Sequence, residues 1–140
     1  MQKTLKQYNA AMKRCVDLFV KKTKDYGTAW RILRPSSLTD QLYIKAARIR
    51  SIEEKGVQKV EDSVEGDFVG LVNYSAMALV QFKLDDQTPL EMKPEEIEPL
   101  FVSEIEKARD LMLRKNHDYG EAWRDTVSYT HLTLPTICSV

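Results

Sequence analysis

The sequence predicts an all-α fold, a small antiparallel bundle of about three helices followed by the first helix of a truncated repeat. Two patterns lead there. Helical periodicity dominates the chain, and no stretch sustains the two-residue alternation of a half-buried strand. In addition, DLFVKKTKDYGTAWR at 17–31 returns as DLMLRKNHDYGEAWR at 110–124, an offset of 93 residues with nine of fifteen positions identical. An offset this long is beyond solenoid periods and reads as two copies of one small domain.

Leu5, Tyr8, Met12, Cys15 and Phe19 share one face of a first helix over roughly residues 3–24. Gly27 supplies a left-handed stop, and Pro35 with Ser36 and Ser37 opens the next element. A second helix runs from about Leu38 to Glu54 with Leu42, Ala46, Ile49 and Ile52 inward, until Gly56 ends it. GVQKVEDSVEG is the connection. The third helix, about Asp67 to Lys83, is apolar nearly all round, from Phe68 to Phe82, and is expected at the centre of the domain or of a dimer. Pro89, Pro94 and Pro99 mark a linker, after which Phe101, Ile105, Ala108 and Met112 repeat the stripe of the first helix.

The organisation expected is residues 1–88 as a first copy, 89–98 as a Pro-rich linker, 99–126 as the start of a second copy, and 127–140 as a non-native tail. Val127 to Thr136, VSYTHLTLPT, resembles the in-frame translation of a sequencing-library adapter, which removes His131 and Cys138 from functional consideration. Phe101, Ile105, Met112 and Trp123 are then expected to lack the partners a full second copy supplies.

Charge and composition narrow the function classes. With 21 basic and 21 acidic side chains the net charge is zero, so bulk phosphate attraction does not mark a nucleic-acid binder. No apolar run approaches the ~20 residues of a membrane span. Cys15 is the single cysteine before the tail, so neither a disulfide framework nor a cysteine zinc site is expected, and the cytoplasm is the expected compartment.

DYGxAWR occurs twice. Its glycine ends a helix and its tyrosine and tryptophan are expected to close the core, while Asp25, flanked by Lys21, Lys22 and Lys24, is placed to serve a phosphate and its metal. Pairing Glu54 with Asp67 across the second and third helices sets Arg48 opposite Asn73 and Lys45 about one turn deeper. Lys22, Asp25, Lys45, Arg48 and Asn73 are therefore the candidate nucleotide- or phosphate-binding residues, two cations on one helix face beside a buried amide. The plainer alternative is a solvated charged face, which charged helix faces usually are. Glu53, Glu54 and Asp67 would meet at the open end of the hairpin, where carboxylates suit Mg²⁺. Nothing in the chain stands out as reading a base edge, and no P-loop, dinucleotide fingerprint or HExxH is present.

The repeated KxxDYGxAWR, the SSLTDQLYIKAARI that follows it and the DxxxLVNYSxMAL helix together resemble the nucleotide modification associated domain 1 family, DUF1599. The resemblance spans about residues 1–125 and implies a nucleotide or nucleoside triphosphate as partner, with a homo-oligomer as a further expectation. The family is linked to all-α pyrophosphatases of the MazG and dimeric dUTPase kind, which cleave nucleoside triphosphates with Mg²⁺. Those enzymes carry ExxE and ExxD pairs; this chain has Lys45 and Arg48 where the first falls and Gly70 three residues before Asn73 in the second. The resemblance thus implies a nucleotide-binding protein, pyrophosphohydrolase-like only when complete and inactive as this chain. The alternatives are a noncatalytic binder and a purely structural helical module.

Overall fold

A computed structural model of the protein describes residues 2–55 and 64–122. Gly56 and most of the connection after it, Trp123, and the tail from 127 onward lie outside these residues. Four α-helices and no strand occur among the described residues: α1 (Gln2–Tyr26), α2 (Pro35–Lys55), α3 (Val64–Lys83) and α4 (Pro94–Tyr119), with a 3₁₀ turn at Ala29–Ile32. None of these helices is long and apolar enough to cross a membrane.

The boundaries follow from backbone chemistry. Gly27 has φ +61°, the left-handed conformation that costs glycine no Cβ clash, and its N–H bonds the Thr23 carbonyl at 2.8 Å to close α1. Pro35 begins α2 three residues before the expected start, because proline at a first helical position gives up an N–H that has no intrahelical partner.

α4 departs most from expectation. It begins at Pro94, inside the expected linker, and carries Pro99 within it. Pro99 forgoes one bond to the Glu95 carbonyl. Burial offsets that loss, since Ile97 and Phe101 on either side are both 0% exposed.

α1, α3 and α4 share one core of Phe19, Ala76, Val80, Met92, Ile97, Phe101 and Ile105. The Phe19 and Phe101 rings stack with centroids 3.9 Å apart and planes 3° from parallel. Tyr8 Oη donates to the Ile105 carbonyl at 3.0 Å and Thr4 bonds Glu121, so α4 runs antiparallel to α1. Phe101 and Ile105 are thus not left wet, because α1 and α3 of the same chain enclose them. α3 packs on α1, α2 and α4, as a central helix should, but it is not buried on most sides: Phe68 and Leu79 are exposed and Phe82 is 72% exposed. Likewise Ala46 of α2 faces out.

Glu104, buried between α3 and α4, receives Lys83 and has Lys107 at 3.5 Å. Burial pushes its carboxyl up, but the hydrogen bond and charge of Lys83, helped by Lys107, outweigh that and hold it below its ordinary 4.5. A carboxyl whose pKa is lower folded than unfolded contributes stability that is present above the unfolded value and lost as pH falls through the folded one. Melting temperatures of the unsubstituted chain should therefore drop as pH falls below about 4.5. Glu104→Gln should be less stable at neutral pH and show a shallower acid decline; parallel pH profiles would remove the pair from the account.

Candidate functional site

The DYGTAWR segment folds as a clamp on the loop between α3 and α4. Thr28 Oγ1 donates to the Leu90 carbonyl at 2.8 Å and accepts from Met92 N–H at 2.9 Å. Buried Arg31 donates to the Pro89 carbonyl and, at 3.3 Å, to Gln81 Oε1, while Gln81 returns a bond to the Arg31 carbonyl at 2.6 Å. Asp85 caps the turn that starts this loop, accepting from Thr88 and Gln87, and those bonds, the Thr88 hydroxyl foremost, hold its carboxyl below the usual range. The motif's threonine and arginine are thereby structural residues, and their partners lie 50 or more residues away. Tyr26 lies outside the core, with the Lys22 ammonium 5.4 Å from its ring centroid. Trp30 does pack inward, edge-on to Phe19 at 6.4 Å and 62°.

Above this clamp, α1, the turn and the α2–α3 hairpin enclose a cavity of about 420 Å³. Its walls are largely apolar, with Leu18, Phe19, Trp30 and Met77 among them, and Lys22, Lys45 and Asn73 supply polar groups. Three of the five candidate binding residues therefore meet there. Asp25 is exposed and Arg48 is engaged elsewhere; neither lines the cavity.

Arg48 ion-pairs with Asp67, whose side chain is 6% exposed, and Lys45 Nζ stands 4.0 Å from the same carboxylate. α2 is thus six residues off the register that pairs Glu54 with Asp67. The reason is electrostatic: the expected register would set two carboxylates against each other, whereas the observed one supplies the buried Asp67 with two cations. Beside it, Lys45 crosses α3 over Gly70. A Cβ at position 70 would lie 2.4 Å from Lys45 Cδ and 2.5 Å from Cε, so the glycine makes the room through which the lysine reaches the cavity.

Asn73 does not face Arg48. Its Nδ2 donates to the Cys15 carbonyl of α1 at 3.1 Å, while its Oδ1 is buried without a hydrogen-bond partner. Of the expected metal ligands, Glu53 and Glu54 are exposed, Glu54 is bonded by Arg50 at 3.1 Å, and Asp67 is held by Arg48 and Lys45. Among the described residues no three His, Cys, Asp or Glu side chains gather as a metal set.

No curated protein and no solved structure matches the chain. The end of α1, the glycine turn, α2 and nearly all of α3 do match a family model, and with them come every cavity-lining residue from Lys22 to Met77. Residues 22–82 are a match to the family described as nucleotide modification associated domain 1, DUF1599, the family that the sequence motifs resemble.

Proposed function

We propose that the chain binds a nucleotide in the α1–α2–α3 cavity, with the phosphates toward Lys22 and Lys45. One observation carries this reading: two lysines from different helices border one apolar cavity, and Lys45 shares the Asp67 carboxylate with the closer Arg48. Lys22 forms no ion pair with a described residue, and the nearest carboxylate oxygen to Lys45 is 4.0 Å away. Flexible ammonium groups at the rim of an apolar pocket suit a ligand with an anionic end and a flat apolar end. The description of the family matched over residues 22–82 points to the same ligand class.

Among the described residues no carboxylates converge on this cavity, and the binding proposed is drawn without a protein-held metal. A Mg²⁺ accompanying a triphosphate would keep its phosphate and water ligands. For this reason the chain is proposed as a binder, and mixtures with Mg²⁺ and nucleoside triphosphates should release no pyrophosphate at an enzymatic rate.

Calorimetric titration with the common nucleoside triphosphates at low salt tests the proposal. Lys22→Ala and Lys45→Ala should each weaken binding about tenfold with helicity unchanged, the scale of one charge-assisted contact. Absence of saturable binding by any triphosphate, or a double variant that binds as the unsubstituted chain does, would overturn it.

A further inference from the structure

The face of α3 left uncovered by α1, α2 and α4 carries an apolar stripe. At about 100° per residue, Phe68, Leu71, Ser75, Leu79 and Phe82 fall within roughly 80° of arc on this helix. Phe68, Ser75, Leu79 and Phe82 are exposed and Leu71 is half-buried. No charged side chain interrupts the stripe, in a chain where 30% of residues are charged. Beside its middle a groove of about 380 Å³ opens between α3, α1 and α4, walled by Leu71, Leu79, Met12, Ile105 and Ala108 among others. Contiguous exposed apolar surface of this kind marks an interaction site.

The spacing of the stripe says what covers it. Phe68 and Phe82 each stand seven residues from Ser75, and Leu71 and Leu79 each stand four from it, so the pattern Phe, Leu, Ser, Leu, Phe reads the same from either end of the helix. A two-fold contact is isologous: if one residue meets a second on the other copy, that second residue meets the first in return. Laid antiparallel on another α3 with the axis at Ser75, Phe68 meets Phe82 of the second copy, Leu71 meets its Leu79, and the two serines face each other. Small side chains at that crossing let the helices close to the roughly 8–10 Å of packed pairs. An unrelated partner imposes no such mirror. We propose that α3 is the two-fold interface of a homodimer, with Ser75 on the axis and the groove flanks closing over the partner helix. Dimerisation through this face leaves the cavity bordered by Lys22 and Lys45 free, since none of the stripe lines it.

Sedimentation velocity of the unsubstituted chain, diluted from about 100 µM, should show a monomer–dimer equilibrium in the micromolar range. Ser75→Arg, at an exposed position, sets two guanidinium groups against each other on the axis; it should leave only monomer over the same range, with circular dichroism and melting unchanged. Cross-linking checks the register. In a Cys138→Ser background, where the remaining Cys15 is buried, Ser75→Cys should be joined into a covalent dimer by a short bismaleimide, each thiol adding across one maleimide double bond. Tyr43→Cys, exposed on α2, should not be joined. A monomer at every concentration, a dimer that Ser75→Arg leaves intact, or thiols at position 75 that fail to link would each overturn the inference.

Discussion

Phe101→Ala is expected to destabilise the fold by about 3–5 kcal/mol, the range for an aromatic truncated in a core that cannot collapse around the loss. Phe101 is 0% exposed and stacks on Phe19 at 3.9 Å, so truncation removes an aromatic contact between α4 and α1 as well as creating a void. Against the roughly 5–15 kcal/mol that folds a typical domain, this is a large fraction. Urea unfolding should show a midpoint shifted far down with little change in slope, and thermal melting should fall by more than about 10 °C. A loss below about 1 kcal/mol would mean that α4 is not integral to the core that α1 and α3 form.

The second large effect is expected at Arg48. Asp67 is buried, and removing the guanidinium in Arg48→Ala leaves its charge with only Lys45, whose ammonium is 4.0 Å away. A buried pair broken on one side costs about 3–5 kcal/mol; since Arg48 is about one-third exposed and Lys45 remains, about 2–4 kcal/mol is expected here. Replacing both partners by apolar residues, Arg48→Met with Asp67→Leu, should recover most of that loss, because no buried charge is then left alone. A double variant as unstable as Arg48→Ala would show that the pair matters through something other than the stranded carboxylate.

How much of this was legible in the sequence depended on how local the cause was. The period of α1 and the left-handed turn at Gly27 are set by neighbouring residues, and both were readable. The start of α4 was not, because Pro94 and Pro99 resemble linker punctuation and only the burial of Ile97 and Phe101 outweighs it. The register of α2 on α3 was hidden for a similar reason: loop length sets it only loosely, and Asp67 chooses Arg48 by tertiary contact.

The candidate site shows the same division. Lys22, Lys45 and Asn73 were identifiable as residue types and do share a cavity, whereas Asp25 and Arg48 do not line it. Trp30 also lines it, and the sequence marks that residue only as an aromatic beside a turn. Thr28 and Arg31 bond segments more than a helix away, which no local pattern displays.

The crossing of Lys45 over Gly70 ties two positions of the sequence together. The volume that a side chain at 70 would need is the volume the lysine stem fills, with 2.4 Å between the would-be Cβ and Cδ. Any sequence with a carboxylate at position 70 must shorten or redirect the residue at 45, and any sequence that keeps this lysine path must keep the glycine. Across relatives the two sites should therefore covary as alternatives, so that an acidic helix face and a cationic cavity rim are two settings of a single exchange.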